Sequence, residues 1–570
     1  MDPDNPFFNA VVELIATQTK MPSSVVEEQL EIPPPQTNAD LAFPCYALAK
    51  QLRKSPNEIA DNLAGTLKPA GIIKRFDAAG PYLNITANWS LFGDHLLKDI
   101  ITKGNAFGSS SIGNEKTVLV DFSSPNIAKP MSVGHMRSTI IGDALARIYQ
   151  HLGYKIIRDN HVGDWGTQFG KLLVAYEKWG SEEKVKNDPI PELLSLYVQF
   201  HDKAEKDPTL EDAAREAFRK LEEGDPKLVK TFEWFWKLSA ESFKKTYDLL
   251  NISFDTWSGE RRYVAAAKHL TQDALKQGIV KESKGAWIVP LDPLPPLIIQ
   301  KSNESTIYAS RDLAMLQERI KIPNIFSLLY VVGSEQKLYF QQLFAAAKKL
   351  NLLPDVIRAT HVDFGLMSLP GGKMSTRKGR VVYLNDVIAE AARRAETIMK
   401  EKNPDLFTTD RGKDVAFHVG VGALKYADLS RDRIKNIVFS WDDLLSFEGD
   451  TGPYLQYTHA RCTSILKKGG VTTPPSFRAA ALTDTKEIAV LRSLAHFPHA
   501  IHRTVRENKP HIIAHAIFDL ATAFNHFYQA VPVLQADAAV KAARIALVAA
   551  TKTVLYTGLA LLGIAAPEEM

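Results

Sequence analysis

Cysteine is almost absent from this chain: among 570 residues only Cys45 and Cys462 occur, and they lie far apart in the sequence. Two distant thiols cannot form a zinc cluster, and they provide no framework of disulfides. This cysteine usage is typical of a protein in a reducing compartment.

Long apolar runs are missing as well. No stretch approaches the roughly 18 uninterrupted apolar residues of a transmembrane helix. The first residues, MDPDNPFF, lack the apolar segment of a secretory signal. We therefore expect a cytoplasmic protein that does not cross a membrane.

The chain also lacks a strong excess of one charge, since 69 Lys and Arg stand against 65 Asp and Glu. Residues 451–570 differ from the rest, because they hold 12 Lys and Arg, 7 Asp and Glu, and 7 of the 15 histidines. A locally basic helical segment can bind a polyanion or present a solvated face, and charge alone favours the solvated face.

A chain of this length is too long for one hydrophobic core, so about three domains are expected. The loop GNAFGSSSIGNEK marks the first boundary, because it is rich in Gly, Ser and Asn. We predict an α+β domain over residues 1–108, an α/β domain over 109–450 and an all-α domain over 451–570. A charged helical insertion is predicted at about 178–261.

The α/β domain opens with the strand TVLVDF, an amphipathic helix and the strand YKIIRDN. This βαβ pattern predicts a doubly wound parallel sheet. The segments AWIVPL, PLIIQ, TIYAS, SLLYVVG and HVDFGLM are predicted to complete the sheet.

Polar residues follow the first strand: Asp121, Ser123, Ser124 and Asn126. In an open parallel sheet, ligands bind beyond the carboxyl ends of strands, where helix N-termini present unpaired amides. Gly134 would let a ligand approach the backbone, and His135 would face a bound phosphate. In the alternative reading, Ser132 only caps the helix and His135 lies at the surface. This stretch taken alone favours the alternative.

A second motif, Gly371–Gly379, reads GGKMSTRKG and is strongly cationic. It looks like the end of a P-loop, but a P-loop would need glycine where Met367 stands. A glycine-flanked cationic loop suits instead the stabilisation of a departing pyrophosphate.

Together the two motifs resemble those of class I aminoacyl-tRNA synthetases, which carry an (H/S)xGH sequence early in a Rossmann-like domain and a KMSxx loop late in it. Further stretches narrow the resemblance to the arginyl-tRNA synthetases: SSPNIAKP, RSTIIGDAL, DNHVGDWGTQFGK, YASRDLAM, SFEGDTGPYLQYTHAR and LLGIAAPEEM. The resemblance covers nearly the whole chain from about Asp121. GPYLNI, in the N-terminal domain, fits it more weakly.

The resemblance implies ATP-dependent activation of L-arginine to arginyl-adenylate, followed by transfer of arginine to the 3′-terminal ribose of tRNA(Arg). ATP with Mg²⁺ would be the cofactor, and no structural metal is implied. The N-terminal domain would contact the tRNA, the C-terminal domain would bind the anticodon, and the enzyme would act as a monomer. The alternative is a catalytically inactive tRNA-binding paralogue on the same scaffold.

For arginine, the resemblance implies a pocket in which Asp312 receives the guanidinium beside Tyr308 and Gln336. Tyr308 and Asp312 share one face if ASRDLAMLQ is helical. Asn126 and Asp121 would hold the α-amino end, although Asp121 could instead be held by a structural partner.

For ATP, the resemblance implies phosphate contacts from the first motif and adenosine contacts from HVGDWGTQFG. The implied residues are Ser132, Gly134, His135, His161, Gly163, Gly166, Lys373, Met374 and Ser375. Two positions depart from the family pattern, since Ser132 replaces a histidine and Thr376 replaces the second lysine. Our hypothesis is that Lys129 supplies the missing charge, with Lys378 as the alternative. The catalytic set is then Lys129, His135, Lys373 and Lys378.

For tRNA, aromatic side chains of the C-terminal domain are candidates to stack on bases of the anticodon loop. They are Tyr454, Tyr457, Phe527 and Tyr528. Each could instead belong to the core, because aromatic residues at helical spacing usually pack inward.

Overall fold

The structure is a computed structural model. It describes residues 5–34, 37, 39–301, 307–368, 382–438, 440–441 and 445–570. The chain divides into two compact units. The first combines Met1–Ser111, Ile398–Gly422 and Ser446–Met570, and the second combines Ile112–Thr397 and Ala423–Leu445.

The second unit contains a parallel sheet of five strands. Their order across the sheet is Arg358–His361, Ile325–Tyr330, Thr117–Asp121, Lys155–Val162 and Thr256–Gly259. All four neighbouring pairs are parallel. The prediction of a doubly wound parallel sheet is therefore confirmed. The fifth strand, TWSG, was not predicted.

The central strand Thr117–Asp121 is buried along its whole length, which explains its nearly continuous apolar sequence. On one face of the sheet, Leu119 and Leu328 join a core with buried residues of three helices. Those helices are Val264–Lys276, Tyr308–Arg319 and Lys337–Lys349. The helix Val133–His151 follows the central strand and contacts it and Lys155–Val162.

Two segments predicted for the main sheet lie elsewhere. AWIVPL and PLIIQ form a separate antiparallel sheet of Lys281–Ser283, Ala286–Leu291 and Leu294–Gln300, so that prediction was wrong. The physical reason is local turn chemistry. Lys284 and Gly285, with φ of 51° and 74°, make a two-residue turn of the kind that closes hairpins.

Two further segments are shorter as strands than predicted. In TIYAS, Tyr308 already begins a helix, so the prediction of a strand there was wrong. In HVDFGLM, His361 ends the sheet strand, whereas Met367–Ser368 pairs with Ile437–Val438 in a small parallel sheet. The prediction of one strand over HVDFGLM was therefore wrong, although both of its ends lie in parallel sheets.

The helical insertion of the second unit is confirmed. Its helices are Glu182–Asn187, Pro189–Ala204, Thr209–Glu223 and Pro226–Leu249. Buried Phe200, Phe232 and Phe235 contribute to its apolar interior.

The first unit begins with an α+β arrangement and ends with helices, as predicted. Its N-terminal antiparallel sheet has the order Leu41–Pro44, Tyr82–Ala87, Ile73–Ala79. The helices around it are Pro6–Thr19, Ser23–Gln29, Tyr46–Leu52, Pro56–Thr66 and Trp89–Lys103. The C-terminal helices are Gly452–Lys468, Thr485–Glu507, His511–Ala530 and Ala538–Leu561.

Further helices of the described residues are Thr167–Trp179, Leu384–Lys402 and Arg411–Leu429. In the part of the chain that the structure describes, no helix is both long and apolar enough to span a lipid bilayer. Cys45 and Cys462 are both buried free thiols.

Candidate active site

The strand order places a natural ligand site at the carboxyl edge of the parallel sheet. At this edge the chain leaves the neighbouring strands Thr117–Asp121 and Ile325–Tyr330 in opposite directions. After Thr117–Asp121 the next strand of the sheet is Lys155–Val162, on one side, and after Ile325–Tyr330 it is Arg358–His361, on the other side. In open α/β sheets, ligands bind at such a switch point. Asp121, Asn126 and Gln336 all lie at or just beyond these two strand ends.

The loop after the central strand is held in an unusual backbone conformation. Ser123 and Ser124 both have positive φ, 72° and 47°. The amide of Ser123 donates to Ser138 Oγ at 2.9 Å, and its hydroxyl lies 2.7 Å from Tyr247 Oη of the insertion. The amide of Ser124 donates to Asn160 Oδ1 at 3.2 Å. Residues in a strained backbone conformation that several hydrogen bonds hold in place are typical of functional loops.

His135 is held in one tautomer by Ser132. The Ser132 amide donates to His135 Nδ1 at 3.0 Å, and Ser132 Oγ lies 3.0 Å from the same nitrogen. Because Nδ1 must accept from the amide, a neutral ring carries its proton on Nε2. Burial lowers the pKa of His135, which favours this neutral form. His135 therefore presents Nε2–H as a donor at the start of the helix Val133–His151.

Glycine is present at Gly134, Gly163 and Gly166 for three different reasons. A side chain at Gly134 would meet only Ser132 Oγ, at 3.4 Å, among the described residues, so the backbone is open to a ligand. A side chain at Gly163 would collide with the Asn126 side chain, so this glycine is required by packing. Gly166 has a φ of 133°, which suits glycine.

The second cationic motif lies outside the described residues, and with it lie Lys373, Met374, Ser375, Thr376 and Lys378. The chain that follows it is described and returns to the first motif. Val133 N donates to Val382 O at 3.2 Å, and Leu384 N donates to Met131 O at 2.9 Å. Ser132 and Tyr383 form an antiparallel bridge between them. Val382–Leu384, which follow the second motif in the sequence, therefore lie beside the start of the helix Val133–His151.

Asp312, on the helix Tyr308–Arg319, lies beside aromatic and acidic side chains. Tyr339 Oη donates to Asp312 Oδ2, and the rings of Tyr308 and Tyr339 lie 5.0 Å apart. Burial raises the pKa of the Asp312 carboxyl to about 6, with smaller contributions from Glu260 and Asp121, against the opposing effects of His161 and the Tyr339 hydroxyl. Among the described residues, no lysine or arginine forms an ion pair with Asp312. Asp312 therefore offers a buried carboxylate to an incoming cation.

Asp121 has the structural partner that the sequence analysis left open. Arg319 Nη2 lies 2.8 Å from Asp121 Oδ2 and also pairs with Asp159. All three side chains are buried. Sequence reasoning missed Arg319, although a signal existed. Asp121 and Asp159 occupy directly opposite positions on parallel strands, and two such carboxylates require a cation.

The remaining predicted residues of this unit have the following surroundings. Lys129 Nζ lies 3.3 Å from Gln168 Oε1 and 4.7 Å from the centre of the Tyr197 ring, so it faces the helical insertion. His161 Nδ1 lies 3.2 Å from Ser258 Oγ. Gln336 is exposed immediately before the helix Lys337–Lys349.

In the first unit, three of the four aromatic candidates lie together. Tyr457 and Tyr528 are exposed, and the Arg461 guanidinium lies over both rings, at 4.8 and 5.3 Å. Tyr454 Oη accepts a hydrogen bond from Asn525 at 2.9 Å. Two clefts of about 620 and 520 Å³ are lined by both Tyr457 and Arg461. Sequence reasoning missed Arg461.

The fourth aromatic candidate, Phe527, belongs to the core. It is fully buried and its ring lies 5.9 Å from that of Phe524. Because its ring is not accessible to a nucleotide base, Phe527 has the alternative role of packing in the core.

Comparison with known families agrees with this arrangement. The family model described as "tRNA synthetases class I (R), catalytic domain" matches residues 96–441. The model "DALR anticodon binding domain" matches 455–570, and "Arginyl tRNA synthetase N terminal domain" matches 8–87. The fold is therefore that of a class I aminoacyl-tRNA synthetase.

Similar proteins narrow the class. An arginine–tRNA ligase of Clostridioides difficile is 44% identical over 96% of both chains, and one of Alkaliphilus metalliredigens is 42% identical over 99% of this chain and 100% of its own. The solved arginyl-tRNA synthetase of Thermus thermophilus covers 99% of this chain and 100% of its own, with a TM-score of 0.81 and 28% identity. The chain belongs to the arginyl-tRNA synthetase family.

Proposed function

We propose that the protein activates L-arginine with ATP and transfers it to the terminal ribose of tRNA(Arg). The observation that supports this most directly is the pairing of two features at one sheet edge. One is the neutral His135 donor at a helix N-terminus, and the other is the buried Asp312 carboxylate without a cation among the described residues. The first suits a phosphate and the second a guanidinium.

Arginine-dependent exchange of pyrophosphate into ATP, with tRNA present, tests the proposal. An active arginine–tRNA ligase exchanges label only when arginine is supplied. The inactive tRNA-binding paralogue would bind tRNA but show no exchange under any condition. Members of this family commonly require tRNA for activation, so the assay without tRNA is a control and not the decisive measurement.

For the amino acid, we propose that Asp312 pairs with the guanidinium, with Tyr308 and Gln336 beside it. Tyr339 supports this role, because its hydroxyl orients the Asp312 carboxylate. Asn126 and Asp121 are proposed for the α-amino end. Asp121 would act there while it remains paired with Arg319.

For ATP, we propose that the phosphates lie over the start of the helix Val133–His151, near Ser132, Gly134 and His135. This placement is supported by the space at Gly134 and by His135 Nε2, which has no hydrogen-bond partner among the described residues. His161, Gly163 and Gly166 are proposed near the adenosine. Lys373, Met374 and Ser375 are proposed for the phosphates from the sequence alone, and Mg²⁺ would enter with the ATP phosphates.

The cation that compensates for Thr376 is proposed to be Lys129. Lys129→Ala is expected to slow adenylate formation by ~10²-fold or more, the order found when one electrostatic donor is lost. Stopped-flow or quench measurement of arginyl-adenylate checks this. Lys171→Ala is the matched control, because Lys171 also lies over an aromatic ring of the insertion, at 5.7 Å from that of Phe200. A nearly unchanged Lys129→Ala together with an inactive Lys378→Ala would transfer the role to Lys378.

For tRNA, we propose that exposed Tyr457 and Tyr528 stack on unpaired bases of the anticodon loop, with Tyr454 beside them. Tyr457→Ala is expected to weaken tRNA binding by roughly 5- to 150-fold, because stacking of a base on an aromatic ring contributes about 1–3 kcal/mol. Equilibrium binding of labelled tRNA measures the effect. Tyr556→Ala is the control, since Tyr556 is 40% exposed, close to the 38% of Tyr457, but lines neither cleft. Equal losses in both variants would contradict the assignment.

The N-terminal part of the first unit is proposed to contact tRNA outside the anticodon. The protein is proposed to act as a monomer in the cytoplasm. The two buried free thiols support a reducing compartment.

A further inference from the structure

Arg137 lies two residues after His135 on the helix Val133–His151 and is completely buried. Its Nε and Nη2 donate to the Asp428 carboxylate at 2.9 and 2.8 Å. Its Nη1 donates to Gly365 O at 2.5 Å and to Lys435 O at 3.0 Å. Nη2 also donates to a third carbonyl, that of Arg433, at 3.2 Å. All five N–H donors of this guanidinium are therefore used.

The three carbonyls belong to two segments that pair with each other. Met367–Ser368 pairs with Ile437–Val438, and Gly365 N donates to Arg433 O at 2.8 Å. A side chain at Gly365 would come within 2.6 Å of the Lys435 carbonyl, so the two backbones are already in close contact. One guanidinium thus connects the helix that carries His135 to two paired segments, of which Gly365–Ser368 immediately precedes residue 369 and the second motif in the sequence.

We propose that Arg137, with Asp428 as its counter-ion, is a positioning residue for adenylate formation. It fixes the separation between His135 and the segment that leads into the second motif, and it does not contact ATP itself. This inference rests on the proposed function, because positioning has a consequence only if both motifs act on one ATP molecule.

Lysine cannot replace Arg137 in this role. An ammonium has three donors in place of five and lacks the planar fork that matches a carboxylate and three carbonyls at once. Loss of the cation would leave Asp428 buried without its partner, which is unfavourable for the folded state as well. A test must therefore separate positioning from stability.

The test measures single-turnover formation of arginyl-adenylate, with tRNA present, for Arg137→Lys and Asp428→Asn. Rates are expressed per folded molecule, from thermal unfolding curves of each variant. The adenylation rate constant is expected to fall by ~10²-fold, since a misplacement of about 1 Å at a catalytic group can have that effect. The KM for arginine is expected to change by less than about threefold, because Asp312 lies on a different helix, Tyr308–Arg319.

Two further variants separate the role from folding. Gly365→Ala keeps both Arg137 and Asp428 but forces the Gly365 and Lys435 backbones apart, and the same selective loss of rate is expected. Arg544→Met removes another poorly exposed arginine, which pairs with fully buried Glu487 at 2.7 Å in the first unit. This control is expected to unfold at a lower temperature while its adenylation rate per folded molecule stays within about twofold of wild type.

Wild-type adenylation rates in Arg137→Lys and Gly365→Ala would overturn the positioning role. A rise in the KM for arginine as large as the fall in the adenylation rate constant would overturn it as well. If Arg137→Lys does not fold, Asp428→Asn and Gly365→Ala decide the question. A wild-type protein without exchange activity contradicts the proposed function itself, whereas an active wild type with unaffected variants contradicts only the role of Arg137.

Discussion

Asp312→Asn is expected to raise the KM for arginine by about 10³-fold while it leaves the KM for ATP nearly unchanged. Truncating the charge of a buried pair typically costs 2–5 kcal/mol, which corresponds to roughly 30- to 5,000-fold. Asparagine keeps the size of the side chain and can still accept from Tyr339 Oη. The increase in the KM for arginine would therefore result from the missing negative charge and not from a change in the shape of the site.

The same carboxylate predicts a pH dependence. The raised pKa of Asp312, about 6, means that the carboxyl becomes protonated as the pH falls through that value. A neutral carboxyl cannot pair with a guanidinium, so kcat/KM for arginine is expected to decline below about pH 6 and to level off above it. Asp312→Asn should abolish this inflection.

Tyr339→Phe is the matched control for Asp312. The hydrogen bond from Tyr339 lowers the pKa of Asp312, so its removal should move the inflection to higher pH. The expected loss at pH 8 is about 10-fold, which corresponds to the lower end of the range of about 1.5–3 kcal/mol for one hydrogen bond to a charged group. An arginine KM in Asp312→Asn close to wild type would show that another residue binds the guanidinium.

His135→Asn is expected to reduce the adenylation rate constant by about 10²- to 10³-fold, the usual effect of losing one preorganised donor in a polar reaction. Asparagine can place an acceptor near the former Nδ1, where the Ser132 amide donates, but it has no donor at the position of Nε2. Single-turnover adenylate formation measures the loss.

His135→Gln has the opposite effect on the two ring positions. Glutamine can place an N–H donor near the former Nε2, but it has no acceptor near the former Nδ1. It should retain more activity than His135→Asn, within about 10-fold of wild type. The opposite order would mean that His135 acts by capping the helix and not by donating to a phosphate. Equal, small losses in both would remove His135 from the catalytic set.

The parts of the fold that depend on local patterns could be predicted from sequence. The buried strand Thr117–Asp121 and the helix after it follow from periodicity. The helix that Tyr308 and Asp312 share was only a conditional expectation, because TIYAS was predicted as a strand. The hairpins around Lys284 and Gly285 were missed because apolar runs alone do not distinguish parallel from antiparallel pairing. In that region the turn residues decided the outcome.

The parts of the candidate site that depend on distant contacts could not be predicted in this way. Arg137 meets Asp428 across 291 residues, and Arg319 meets Asp159 across 160. Neither arginine differs in its local sequence from one on a solvated helix face. Only the packing of the sheet and its helices shows that these charges are buried and paired.

The first compact unit contains both ends of the chain, and this has a consequence for synthesis on the ribosome. The helix Trp89–Lys103 packs against Thr485–Glu507 and Ala538–Leu561, and Asp40 pairs with Arg492 at 2.6 Å, 452 residues away. The N-terminal segment therefore emerges hundreds of residues before its partners do. The second unit can complete its core before residues 446–570 are synthesised, whereas the first unit must wait for the helix Ala538–Leu561.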